Sequence, residues 1–197
     1  TGDVLGYGKA WVPRQPKIEF MYQTGAFGFS FALEKPSTVA TTYSVPSTVD
    51  VYNKIPGLSI AADYTSQVFE ITPAFIWTRW DMEGMPSGYD EEVDSMGFIL
   101  PIAVKMGGFK LILEGHYAKN PAGVYSNYST YGKAVFKNSG KVEDTDLVGG
   151  YGELSYVTGA LRIAVGAGVE SYTNDAWKAK DGLGYKEDNV VQYMGWI

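Results

Sequence analysis

The feature that most constrains the fold is an alternation of apolar and polar residues that recurs along the chain. In "AFGFSFALE", from Ala26 to Glu34, three phenylalanines and a leucine alternate with small or polar residues. A period of two predicts a β-strand with one apolar face and one small or polar face. The alternating runs are Lys17–Gln23, Ala26–Glu34, Leu58–Tyr64, Val68–Trp77, Met96–Met106, Phe109–Tyr117, Val148–Tyr156, Leu161–Tyr172 and Val190–Ile197.

The connections between these runs alternate between short and long. Turn signals at Thr24-Gly25, Thr65-Ser66-Gln67, Gly107-Gly108 and Thr158-Gly159 each lie between two runs, as in a β-hairpin. The other connections, roughly residues 35–57, 78–95, 118–147 and 173–189, are long and polar. Loops this long are uncommon in compact soluble domains, whereas short turns at one end and long loops at the other are typical of outer-membrane barrels.

The two faces of the predicted strands differ in charge. One face of the first eight runs carries no charged residue, and the opposite face carries nearly all the charges of these runs. In a barrel the uncharged face contacts lipid and the charged face lines the lumen. The predicted pore-lining residues are Glu19, Glu34, Asp63, Glu70, Lys105, Lys110, Glu114, His116, Glu153, Arg162 and Glu170. Acids outnumber bases among them, which favours a mild cation preference.

Aromatic residues on the uncharged face gather at the ends of the runs. One band lies beside the short turns and a second lies near the long loops, as in the aromatic girdles of a lipid-facing wall. The two bands are Tyr22, Phe27, Tyr64, Phe69, Phe109 and Tyr156, and then Trp77, Phe98 and Tyr117. Two prolines inside runs, Pro73 and Pro101, predict a bulge or irregular pairing because proline lacks a ladder donor.

Composition excludes several functions. The net charge of −6 argues against sequence-independent binding to nucleic acid, and the absence of cysteine excludes disulfides and thiolate metal sites. The longest apolar run, "FILPIAV" from Phe98 to Val104, is far too short for a spanning helix. No cofactor is implied.

Two other segments carry possible chemistry. The acidic stretch "GYDEEVDS" is a weak calcium candidate through Asp90, Glu91, Glu92 and Asp94, although its spacing does not fit an EF-hand and a solvated loop is the simpler interpretation. The stretch Asn174–Asn189 is predicted to be a mobile loop.

The stretch "VPRQPKIEFMYQTGAFGFSFALEKP", from Val12 to Pro36, resembles Gram-negative outer-membrane porins, including the DcaP-like trimeric type. The matching residues are Arg14, Pro16, Ile18, Phe20, Gly25, Glu34 and Pro36. The resemblance implies a barrel of roughly sixteen strands, a homotrimer, and passive diffusion of small hydrophilic solutes and ions through a water-filled lumen. It also implies lipid and lipopolysaccharide of the outer membrane as surroundings. An outer-membrane phospholipase would instead need a serine where the chain has Ala118.

The prediction is therefore an all-β, antiparallel up-and-down transmembrane β-barrel, of which residues 1–197 form a single segment that is incomplete at both ends. The outermost predicted strands should then remain unpaired with each other. Two alternatives stay open. One is a small closed outer-membrane barrel with a structural, adhesive or enzymatic role, and the other is a soluble β-sandwich that acts as a binding module.

Overall fold

The computed structural model of the chain describes residues 16–36, 41–42, 49–125, 131–137, 139–179 and 189–196. Arg14 of the porin-like stretch and Ile197 of the last run lie outside these residues. The strands are β1 (Lys17–Thr24), β2 (Phe27–Glu34), β3 (Thr41–Thr42), β4 (Asp50–Tyr52), β5 (Gly57–Thr65), β6 (Phe69–Ile71), β7 (Ala74–Glu83), β8 (Glu92–Met106), β9 (Phe109–Lys119), β10 (Ala134–Phe136), β11 (Val142–Glu143), β12 (Asp146–Thr158), β13 (Leu161–Thr173) and β14 (Asn189–Trp196). A 3₁₀ turn (Pro121–Gly123) and a single helical turn, α1 (Ala176–Ala179), complete the described elements.

Most strands form one antiparallel wall in which each strand pairs with its neighbours along the chain. The order is β1, β2, β5, the interrupted strand β6–β7, β8, β9, β12, β13 and β14, and β4 extends the wall beside the far end of β7. This confirms the predicted all-β, antiparallel up-and-down architecture. Of the strands that the structure describes, β1 pairs only with β2 and β14 only with β13.

The short turns have the conformation that their glycines predict. Gly25, Gly107 and Gly159 begin two-residue loops and have φ angles of 57°, 59° and 57°. A positive φ at the first loop residue is typical of a type II′ hairpin, whose twist matches that of the strands it joins. Glycine adopts this angle without the steric cost that a Cβ would bring. The predicted hairpin turns are therefore confirmed.

The sequence predicts a bulge or irregular pairing at the two prolines: the wall strand is interrupted at residues 72–73, between β6 and β7, but no bulge forms. The register between β5 and the β6–β7 strand is the same on both sides of Pro73, and Pro101 lies within an unbroken β8. The Pro73 carbonyl accepts a hydrogen bond from Ala62 N at 3.1 Å, and the Pro101 carbonyl accepts one from Thr72 N at 3.1 Å. Each proline thus forgoes only the bond its own nitrogen would donate, and the faces keep their parity across it.

The predicted long connection over residues 78–95 is mostly strand, so this expectation is wrong. β7 continues to Glu83 and β8 starts at Glu92, which leaves only residues 84–91 between them. Arg79 lies opposite Asp94 and its Nε donates to Asp94 Oδ1 at 3.0 Å. This cross-strand ion pair, together with the burial of Trp80 beside Val93, extends the hairpin beyond the apolar runs.

The long connections pack on each other rather than extending separately. β10 pairs antiparallel with β11 and parallel with β3, which joins three segments into a small second sheet. Its apolar residues pack against the extended hairpin in a cluster that we call the loop core: Trp80, Met82, Met85, Val93, Ala134 and Phe136. The predicted mobile loop is also wrong at its start, because Ala176 and Trp177 are buried. Residues 180–188 of that stretch lie outside the described residues.

In the described part of the chain, no helix has the length and apolarity needed to cross a membrane.

Candidate functional site: the charged face of the wall

The wall has an exposed apolar face. The register aligns Phe20, Phe31, Ile60, Phe75, Phe98 and Tyr117 in one row across six strand positions. Large hydrophobic side chains of this parity are exposed on β1, β2, β8, β9, β12, β13 and β14, and Phe20 retains 63% of its accessible surface. Among the described residues, the large hydrophobic side chains that are exposed outside this face are Met21, Ile55, Val68 and Val157. A continuous apolar surface of this extent marks contact with a partner or a membrane.

Aromatic rings on the apolar face meet beside the short turns, as predicted. The ring centroids of Phe27 and Tyr64 are 4.8 Å apart, and those of Tyr64 and Phe69 are 6.4 Å apart. Further along the wall, Phe109 and Tyr156 are 4.5 Å apart. These contacts link neighbouring hairpins into a band at one end of the wall.

The opposite side of the wall is the charged face. The register places every predicted pore-lining residue there, one position out of phase with the apolar row. These residues are Glu19, Glu34, Asp63, Glu70, Lys105, Lys110, Glu114, His116, Glu153, Arg162 and Glu170.

Several of these charges form ion pairs near the short turns. Glu70 contacts Lys105 closely, and its second oxygen lies 3.6 Å from Lys110 Nζ. Arg162 Nη2 lies 2.9 Å from Glu153 Oε1. Because these partners neutralise part of each other's charge, the excess of acids seen in the sequence is not spread evenly along the face.

The single histidine lies between two carboxylates. His116 Nδ1 is 3.5 Å from Glu114 Oε1, and His116 Nε2 is 3.7 Å from Glu170 Oε1. The Tyr172 hydroxyl donates to Glu170 Oε2 at 2.7 Å, and all these side chains are buried. A Cβ at Gly149 would overlap the imidazole, so only glycine fits there. Lys110, on the same face of β9, pairs with Glu70 and not with His116.

Residues after β9 fold back over the charged face. Tyr125 lies over Gly97, where a Cβ would overlap the phenol ring. Tyr125 also joins an apolar cluster with Ile76, Val124 and Trp177. Burial, and to a smaller extent the Glu114 carboxylate, raises the pKa of the Tyr125 phenol above its usual value, so this hydroxyl stays neutral.

Two asparagines fix this loop to the wall. Asn120, in a left-handed conformation at φ 48°, donates from Nδ2 to the Asp94 carbonyl at 2.8 Å and accepts from Thr145 N at 2.9 Å. Asn174 Nδ2 donates to Thr145 Oγ1 at 2.8 Å, and its Oδ1 accepts from Ala176 N at 2.8 Å. The start and end of the 120–145 loop are thereby tied to each other and to the start of α1.

The acidic stretch 90–94 does not gather into a cation site. Asp90 Oδ1 accepts from Lys141 Nζ at 2.8 Å and its Oδ2 from Val142 N at 2.8 Å, while Glu92 and Asp94 contact Arg79. Across the residues that the structure describes, no three acidic or histidine side chains lie where they could hold one metal ion. The weak calcium candidate Asp90, Glu91, Glu92 and Asp94 therefore gains no support from the structure.

The arrangement has counterparts among solved structures. The outer membrane channel DcaP of Acinetobacter baumannii superposes with a TM-score of 0.68 at 14% identity, over 95% of this chain and 52% of that chain. The fold is that of the outer-membrane porins. Another porin superposes with a TM-score of 0.51 at 14% identity, over 91% of this chain and 49% of that porin, so the chain spans about half the length of these porin-fold proteins. No protein-family model matches the sequence, and no curated protein matches it by sequence.

Sequence reasoning missed two features of the charged face. The loop residues that cover it, including Tyr125 and Trp177, carry no periodic signal. The second feature is an apolar patch of Ile99, Pro101, Ala103 and Ile112 on the side that is otherwise charged. The run "FILPIAV" contained a signal for it, because uninterrupted apolar residues in a strand make both of its faces apolar.

Proposed function

We propose that the chain forms part of a water-filled channel in the outer membrane of a Gram-negative bacterium, through which small hydrophilic solutes and ions diffuse passively. The observation that carries this proposal is the pairing of an exposed, uncharged face with a face that holds the charged residues on one porin-like wall. A soluble protein gains nothing from exposing so much apolar surface, whereas lipid accommodates it. Lipid and lipopolysaccharide are then the partners of the apolar face.

The wall belongs to a ring larger than the described strands. The outer edges of β1 and β14 offer unpaired backbone groups among the described residues, and hydrocarbon cannot satisfy such groups. Closure at roughly sixteen strands, with residues 1–197 as one segment of the barrel and three barrels in a homotrimer, follows the porin pattern. The open edges of β1 and β14 disfavour a small closed barrel.

Transport needs no chemical step and no cofactor in this proposal. The one histidine contacts two carboxylates, and Ala118 rather than a serine follows it on the same face, so this strand lacks the histidine–serine pair of an outer-membrane phospholipase. The predicted pore-lining residues act as wall charges that select solutes by sign and position.

The test is conductance. The full-length protein, purified in detergent and added to a planar lipid bilayer in KCl, should produce discrete, stable current steps. Phe29→Arg, on the apolar face, should reduce insertion, while Ser30→Arg, on the charged face, should insert and alter the step size. Stable insertion without any current would overturn the channel proposal.

A further inference from the structure

The apolar patch on the charged face forms the floor of a depression of about 240 Å³. Its floor residues Ile99, Pro101, Ala103 and Ile112 come from β8 and β9, and Tyr151 of β12 lies at its edge. Exposing these apolar side chains to water costs free energy, and an apolar group that covers them removes this cost. The floor therefore suits a solute with an apolar part.

One end of the depression is positive. Lys105 and Lys110 both contact Glu70, so a single carboxylate faces two ammonium groups and the three charges sum to one positive charge. Lys110 is the partner at the longer distance, 3.6 Å, and its side chain is partly exposed at the rim. It can turn towards a carboxylate on a bound solute.

The other end is negative. Glu114 borders the depression, and behind it His116 and Glu170 complete a group of two carboxylates around one imidazole. Glu114 is thus the carboxylate that a solute in the depression meets.

The two ends are separated by a distance that a small molecule can bridge. Lys110 and Glu114 lie on the same face of β9, four residues apart, which separates their Cα atoms by about 14 Å. A dipeptide spans at most about 7 Å between its ends, which leaves the remainder to the two side chains. We propose that this depression is a binding subsite for zwitterionic solutes of dipeptide size, with the ammonium group towards Glu114, the carboxylate towards Lys110 and the apolar part on the floor. A purely anionic solute meets Glu114 and a purely cationic one meets Lys110, so each is disfavoured.

This inference rests on the proposed channel function, and binding in detergent tests it separately from conductance. Leucylalanine is titrated into the full-length, detergent-solubilised protein by calorimetry, beside its N-acetyl derivative and its amide. Each derivative lacks one terminal charge and should bind about fivefold more weakly, as expected for the loss of one partly solvated ion pair.

Single substitutions test which end of the depression binds which charge of the solute. Lys110→Met should weaken leucylalanine binding about fivefold. It should also remove the preference for leucylalanine over its amide, because no ammonium group is then present to bind the carboxylate. Glu114→Gln should instead remove the preference for leucylalanine over its N-acetyl derivative. Arg162→Gln, which deletes a charge on the same face outside the depression, should change neither affinity nor preference.

The outcomes separate the two proposals. Equal affinity for all three peptides, or no binding, in a protein that conducts KCl overturns the subsite and leaves the channel. A preference for leucylalanine over its amide that persists in Lys110→Met also overturns it, because Lys110 then does not bind the carboxylate. Charge-dependent binding in a protein without conductance upholds the subsite and overturns the channel.

Discussion

At the residue scale, Phe29 and Ser30 are neighbours in β2 with opposite surroundings. Phe29 points to the apolar face and pairs with Tyr22 and Ala62, whereas Ser30 borders a second depression on the charged face near Glu19. We expect Phe29→Arg to cost about 2–4 kcal/mol of stability in a bilayer and Ser30→Arg to be nearly neutral, because only the first arginine is forced into hydrocarbon. Urea unfolding in lipid vesicles measures the difference. Equal losses for both variants would mean that the two faces are assigned wrongly.

Gly97 and Gly115 offer a matched pair at the same scale. Both lie inside strands, but a Cβ at Gly97 would overlap Tyr125, whereas a Cβ at Gly115 meets nothing within 4 Å. We expect Gly97→Ala to weaken the packing of residues 120–125 by about 1–3 kcal/mol through overpacking, and Gly115→Ala to leave that packing intact.

Amide hydrogen exchange reports this effect directly. The Tyr125 amide, which donates to the Pro121 carbonyl at 2.7 Å, should exchange faster in Gly97→Ala and unchanged in Gly115→Ala. Slow exchange of this amide in both variants would show that Tyr125 does not depend on the space above Gly97.

At the element scale, the Asp90 carboxylate attaches the connection between β7 and β8 to the small sheet, beside a hydrogen bond from Asp90 N to the Gly140 carbonyl. The Lys141 ammonium, with the Val142 amide, holds the pKa of Asp90 below its usual value of 3.8. A lowered folded pKa means that the attachment is complete above pH 3.8 and is lost as the pH falls through the lower folded value.

The Val142 amide proton is the probe for this attachment, because it donates to Asp90. Its chemical shift should titrate with a midpoint below 3.8, and Asp90→Asn should abolish that titration while leaving β11 in place. A midpoint at or above 3.8 would contradict the ion pair with Lys141. Added sodium chloride should move the midpoint towards the ordinary value, since the pair lies at the surface.

At the scale of the whole molecule, the charged face sets the ion preference of the proposed pore. Replacing Glu70, Glu114, Glu153 and Glu170 with glutamine removes four carboxylates from this face. We expect the reversal potential across a KCl gradient to shift towards anion permeability. The shift should be larger than that of Glu83→Gln, which lies at the loop end of β7. An unchanged reversal potential would assign selectivity to other residues.

The position of the charges along the wall matters as well as their sum. Glu70 and Glu153 already pair with basic residues, whereas Glu114 and Glu170 flank His116 and Glu170 also accepts from the Tyr172 hydroxyl. Replacing Glu70 and Glu153 with glutamine removes as many carboxylates as replacing Glu114 and Glu170. A difference in reversal potential between these two double variants therefore shows which pair lies nearer the path of the ions.

The sequence by itself determined the wall strands within their alternating runs, the hairpin turns and the two faces. These follow from local rules: alternation at a period of two, glycine where φ is positive, and a register that cannot slip by one residue without exchanging the faces. Phe29 and Glu70 were therefore assignable to opposite faces from the printed residues alone.

Only the tertiary structure decided which loop residues cover the charged face and which side chains contact each other on it. The burial of Tyr125 over Gly97 and of Trp177 near Tyr172, the contact of His116 with Glu170 rather than Lys110, and the joining of β3 to β10 all link residues distant in sequence. Such contacts depend on how neighbouring strands and loops converge in space, and no local period encodes that convergence. The apolar floor between Lys110 and Glu114 likewise became visible only once β8 and β9 lay side by side, because a depression is a property of several strands together.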